Sequence, residues 1–215
     1  VAWDGKVGID LPYHAGATYN IELNGDLKNV SSHLPSPLAK PAGEPLAVNV
    51  KVDGNLNSFE LTGQAGADNH FNSRWLLGQK LTLDRAIWAA DSKTLPPLPE
   101  QSGVELNMPP MNGAEWLALF QKGAAESVGG AASFPQHITL RTPMLSLGNQ
   151  QWNNLSIVSQ PTANGTLVEA QGREINATLA MRNNAPWLAN IKYLYYNPSV
   201  AKTRGDSTPS SPFPT

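Results

Sequence analysis

The chain has 215 residues, enough for one domain or at most two. Only 15% of them are charged and the formal net charge is −2, against roughly 25% charged in an average soluble domain, so no basic stripe is available for nucleic acid. Cysteine is absent, which removes disulfide frameworks, thiolate zinc sites, iron–sulfur clusters and cysteine nucleophiles together.

From the N-terminus onward the dominant signal is alternation. Tyr19, Ile21 and Leu23 face one way while Asn20, Glu22 and Asn24 face the other. Ser32–Pro45 is proline-rich and reads as a loop. Leu46, Val48, Val50 and Val52 alternate with Ala47, Asn49, Lys51 and Asp53; Phe59 and Leu61 alternate with Glu60 and Thr62. Phe71, Trp75 and Leu77 stand against Asn72, Arg74 and Leu76. Ser92–Ser102 is a second loop, and Val104, Leu106 and Met108 resume the pattern. The run Asn112-Gly113-Ala114-Glu115 places a capping residue three before a glutamate. Trp116, Leu119 and Phe120 then follow at helical spacing, so one short helix is expected over Gly113–Lys122, placed as a lid on one end of the sheet. Ala124–Pro135 reads as a loop. Ile138 and Leu140, Leu155 and Ile157, then Ile175, Ala177, Leu179 and Met181 complete the series.

About ten such segments fit the chain. One apolar and one polar face per strand is the signature of antiparallel sheets. The expected fold is therefore mainly β: a curled antiparallel sheet of repeating units with one short helix, spanning residues 1–200. Residues 201–215, rich in proline and serine, read as a linker. The chain reads as an internal piece of something longer. Asn20–Val30 also aligns with Asn49–Phe59, and its Asn24-Gly25 and Asp53-Gly54 pairs suggest hairpin turns or bulges.

Catalytic chemistry is not visible. His14, His33, His70 and His137 are far apart in sequence, and none sits four residues from another histidine. There is no Gly-x-Ser-x-Gly elbow, phosphate loop or His-Glu-x-x-His. Asp84 and Asp91 flank Ile87-Trp88 without a partner acid at recognisable spacing. The sequons at Asn29, Asn154, Asn164 and Asn176 arise easily in an asparagine- and threonine-rich β protein. No enzyme activity, metal or cofactor is expected. The six tryptophans, Trp3, Trp75, Trp88, Trp116, Trp152 and Trp187, could anchor a core, stack sugars or line an apolar groove.

Four runs carry a resemblance. Ser32-His33-Leu34-Pro35-Ser36-Pro37-Leu38-Ala39-Lys40-Pro41-Ala42-Gly43-Glu44-Pro45-Leu46 is the most specific. With Asn112–Leu117, Gly148-Asn149-Gln150-Gln151-Trp152 and Ile191-Lys192-Tyr193-Leu194-Tyr195-Tyr196-Asn197-Pro198, it resembles the AsmA-like (TamB-like) proteins of enterobacteria, over the whole chain. That resemblance implies a periplasmic segment of an inner-membrane-anchored protein. It also implies a long curled sheet whose apolar groove carries phospholipids between inner and outer membrane, in support of the outer-membrane permeability barrier. The partners so implied are phospholipid acyl chains and, through flanking segments, components of both membranes.

Physical chemistry is compatible with such a role. Exposing an acyl chain of about sixteen methylenes to water costs roughly 13 kcal/mol, which a dry apolar wall offsets without specific contacts. The residues expected to build that wall are Ile21, Leu23, Val48, Val50, Phe59, Leu61, Leu83, Ile138, Leu140, Ile157 and Leu179. Two other readings stay open from sequence: a β-sandwich binding carbohydrate (such as enterobacterial common antigen) or protein through exposed tryptophans, and a spacer whose apolar face is wholly internal.

Overall fold

The computed structural model describes residues 2–116, 118, 132–133 and 135–198. The alternating segments become strands. In chain order these are β1 (Trp3–Asp10), β2 (Thr18–Asp26), β3 (Ala47–Asn55), β4 (Ser58–Ala65), β5 (Asn69–Leu76), β6 (Leu81–Ala90), β7 (Gly103–Asn107), β8 (Met111–Asn112), β9 (Ala132–Ser133), β10 (Ile138–Leu147), β11 (Gln150–Thr162), β12 (Gly165–Gln171), β13 (Ile175–Arg182) and β14 (Leu188–Leu194). All belong to one sheet. Twelve form a continuous path, β1-β2-β3-β4-β5-β6-β7-β10-β11-β12-β13-β14, while β8 pairs with β10 and β9 with β6. Among the described residues β1 and β14 remain edges, so the sheet is open and no barrel closes.

Most neighbours are antiparallel, as alternation predicts, but the centre is not. β7 runs parallel to both β6 and β10, and the short β8 and β9 are parallel to their partners too. The cause is the segment after β6. Parallel neighbours need a crossover of about a dozen residues, and residues 91–102 supply it across the polar face. His70 donates from Nδ1 to the Ser92 carbonyl (2.7 Å), Asn72 to that of Pro96 (3.3 Å) and Arg85 to that of Pro99 (3.3 Å). Ser102 closes the segment by donating to the Asp84 carbonyl (2.8 Å). A proline offers a carbonyl without an N–H, so this crossover presents acceptors to a face rich in donors.

Two expectations are corrected. Asn24-Gly25 and Asp53-Gly54 do not turn the chain, because both glycines lie inside paired strands. They leave room for rings. A Cβ on Gly25 would stand 2.6 Å from the Trp3 ring, and one on Gly54 would stand 2.7 Å from the Tyr19 hydroxyl. The residue after each glycine makes the turn instead: Asp26 Oδ1 accepts from the amide of Lys28, and Asn55 Oδ1 from that of Asn57, each at 2.8–2.9 Å. The aligned segments are thus neighbouring antiparallel strands with matching ends. Secondly, the loop expected over 124–135 contains β9 at its described positions 132–133.

After Asn55 the chain enters β4 at once, whereas after Asp26 it makes an excursion over residues 27–46 before β3. Asp26 holds both ends of this strap, since its Oδ1 also accepts from the amide of Leu46 (2.9 Å). Inside the strap, Lys40 Nζ donates to the carbonyls of Val30 (2.8 Å), Pro41 (3.2 Å) and Lys28 (3.5 Å). The expected helix begins at Gly113, with residues 113–116 and 118 helical; the remainder of 113–122 lies outside the described residues, as does the 201–215 linker. Asn112 caps it, accepting from the amide of Ala114 (3.1 Å) and donating to Glu115 (3.1 Å).

A third strand glycine provides a sharp test. The Phe71 ring lies directly where a Cβ on Gly63 would be. Alanine usually stabilises a strand relative to glycine. Here Gly63→Ala is expected to destabilise the chain by about 1–3 kcal/mol through overpacking, and Phe71→Leu in the same molecule to recover most of that loss, read by denaturant titration.

Candidate functional site

The cross-strand registers define one row of residues per position along the strands, and two adjacent rows on one face are apolar across the whole path. One runs Val7, Ile21, Val52, Leu61, Ser73, Ala86, Val104, Ile138, Ser159, Val168, Leu179 and Ala189. Only its two serines are polar. The next runs Gly5, Leu23, Val50, Gly63, Phe71, Trp88, Leu106, Leu140, Ile157, Ala170, Ala177 and Ile191, with no polar side chain at all. Between them in sequence, on the opposite face, lies Lys6, Glu22, Lys51, Thr62, Asn72, Ile87, Glu105, Thr139, Val158, Glu169, Thr178 and Asn190. One residue along the strand therefore changes the face from hydrocarbon to water-loving. At about 4.8 Å per strand, twelve strands make an apolar wall about 50 Å long, running across the strands.

All eleven residues expected to line a groove fall on this face. Ile21, Leu61, Ile138 and Leu179 are in the first row, and Leu23, Val50, Leu140 and Ile157 in the second. Val48 pairs with Gly25 and Ala65, while Phe59 and Leu83 flank Trp75, all on the same side. The sequence reading missed the ends of the wall. Val7 on β1 and Ile191 on β14 are 68% and 56% exposed. They were obscured by the two glycines of β1 and by a bulge in the β13–β14 pairing.

The wall is unevenly covered. Leu83 is buried, but Leu23 and Ile138 are exposed and the other expected residues are half-buried; no described large side chain is fully enclosed. A small cluster of Ala90, Met108 and Met111, joined by Trp88, Leu106, Trp116, Leu140 and Leu145, forms the densest packing. It sits under the middle of the sheet, so the helix covers the centre of the apolar face rather than one end. Trp116 donates from Nε1 to the Ser36 carbonyl (3.1 Å) and thereby joins the helix to the strap. Pro37, Leu38 and Leu46 of the strap face Ala65, Phe71 and Trp88. Both outer stretches of the wall, β1–β3 and β11–β14, carry no such cover among the described residues.

The other chemistry-bearing residues do not converge. Among the described residues no three histidine, aspartate or glutamate side chains gather as a metal would need, and no helix is long and apolar enough to cross a membrane. The two most exposed tryptophans, Trp3 and Trp187, lie at opposite ends of the strand order, in β1 and just before β14.

The molecule is thus an open sheet with one largely apolar face and one polar face. The model of one family, described as YhdP protein, matches residues 1–214, and the chain belongs to that YhdP family. No solved structure matches it.

The buried carboxylate of Glu174, in the β12–β13 turn, has a structural task. Burial pushes its pKa up. Hydrogen bonds from the Asn153 side chain (2.8 Å), the Asn153 amide (2.6 Å) and the Asn197 side chain (3.1 Å) outweigh that, and the pKa ends below its ordinary value. The backbone carbonyl of Glu174 also accepts from the Tyr195 amide (2.7 Å), so this residue ties the segment after β14 to the start of β11. A lowered folded-state pKa stabilises the native form above the ordinary glutamate value of 4.5 and loses that contribution as pH falls through the folded value. Glu174→Gln should therefore lower Tm at pH 7, and thermal melts should show the gap from the parent closing as pH falls below the ordinary value of 4.5.

Proposed function

We propose that the chain is one segment of a periplasmic conduit, in which the apolar wall carries phospholipid acyl chains between inner and outer membrane without catalysis. The observation that supports this most is the second cross-strand row: twelve strands, no polar side chain, and no second sheet packed over it among the described residues. Each acyl chain on the wall is relieved of about 0.8 kcal/mol per methylene. Because the second row lacks polar side chains, an acyl chain lying along it meets no buried polar group on any strand. Membership of the YhdP family and the likeness to AsmA-like proteins support this reading.

A charge in the wall distinguishes a lipid path from an ordinary core. Val50 lies half-buried in the open stretch, between Leu23 and Gly63, where water can reach an introduced carboxylate. Val50→Asp is expected to cost about 1–3 kcal/mol and leave the fold intact, yet to abolish lipid-dependent growth in the full-length protein. Leu140 packs against the central cluster, so Leu140→Asp is expected to cost about 3–5 kcal/mol, an uncompensated buried charge. Asn190→Asp, on the polar face of β14, should change neither. Thermal melts set beside the outer-membrane barrier phenotype check all three; a folded Val50→Asp chain with a normal barrier overturns the conduit.

A further inference from the structure

Between the strap and β4–β6 lies a half-enclosed cavity of about 250 Å³. Its strap side is Pro37, Leu38 and Leu46; its sheet side is Ala65, Phe71 and Trp88. Lys40, Asn69 and the exposed Glu44 supply the polar side chains at its margin, and the first two are already engaged. Lys40 donates its ammonium to three strap carbonyls, and Asn69 Oδ1 accepts from the Trp88 indole (3.3 Å). The interior therefore offers an occupant apolar contact and, among the described residues, no free cation, the one unengaged charge at the rim being the Glu44 carboxylate. Phe71 and Trp88 belong to the fully apolar row, so the cavity is continuous with the wall on either side.

We propose that this cavity is a binding site for a single acyl chain of a diacyl phospholipid, held beneath the strap while the rest of the lipid stays outside. The proposal rests on the conduit reading for the presence of lipid. Its own basis is size and chemistry. An apolar cavity of about 150 Å³ accommodates benzene, so one of this volume takes roughly ten carbons, the larger part of one acyl chain and far less than two. An anionic headgroup finds no partner there, because the only cation at the margin is spent within the strap and Glu44 is itself an anion. Asp26 and Lys40 fix both the ends and the middle of the strap, so the site is preformed.

The test uses tryptophan quenching by two probes: vesicles of phosphatidylglycerol carrying brominated acyl chains, and bromodecanoate as the free acid. Bromine quenches on contact and Trp88 lines the cavity. The parent chain should show saturable quenching by the brominated phospholipid. Ala65→Phe fills the cavity from the sheet and Leu38→Phe fills it from the strap. Each should weaken that binding at least about tenfold, the equivalent of roughly two buried methylenes. Glu60→Leu, on the opposite face, should leave it unchanged. Thermal melts identify any variant that fails to fold, and the other filling variant then decides. Unaltered quenching in a folded filled variant overturns the site, as does quenching by the free acid alone. The conduit reading fails separately: a saturable site blocked by filling, in a protein whose Val50→Asp form keeps a normal barrier, upholds the site and overturns the conduit.

Discussion

Parity holds this molecule together. Side chains alternate between faces along a strand, so a slip of one residue in any pairing would carry an apolar row onto the polar face. That parity survives across twelve strands, through a change from antiparallel to parallel and back at β7, and through irregularities in the β5–β6 and β13–β14 pairings. The second irregularity restores the pattern: with Lys192 left unpaired, Leu194 rejoins the apolar side opposite Ile175. Every functional property derived above depends on this alignment, because a continuous wall exists only if no strand is out of phase.

The two faces are covered by chemically matched segments. Over the polar face runs a proline-rich crossover whose carbonyls take hydrogen bonds from His70, Asn72 and Arg85. Over the apolar face lie a strap and the start of a helix, which meet at Trp116 and Ser36 and pack through leucine, proline and tryptophan. Exchanging them would bury unpaired donors beneath one segment and strand hydrocarbon beneath the other. Both covers cross the middle of the path, which is also where the few buried side chains gather.

Much of this was legible in the residues. Val48, Val50 and Val52 set against Asn49, Lys51 and Asp53 predict a two-faced strand, and within each strand the expected wall residues share a face because period two is local information. Continuity was not legible, since it depends on register between strands far apart in sequence. β12 escaped notice because Leu167 sits on the polar face beside Val168 on the apolar one. The glycines misled for a physical reason. Asn-Gly and Asp-Gly favour tight turns, but here Gly25 and Gly54 make room for rings, and Asp26 and Asn55 turn the chain. The strap's composition announces a loop, yet nothing local tells which face it crosses.

A folded state that leaves so much hydrocarbon in water has a thermodynamic consequence. The heat capacity of unfolding comes chiefly from apolar surface newly exposed, about 12–15 cal/mol/K per residue in ordinary domains. Val7, Ile9, Leu23, Ile138 and Ile191 are already exposed in the native chain, so unfolding adds less. The stability curve of this sheet is correspondingly flat, with neither a steep loss of stability on warming nor an early cold limit. Occupation of the wall by hydrocarbon would restore the missing curvature, making the filled form the one whose stability varies most with temperature.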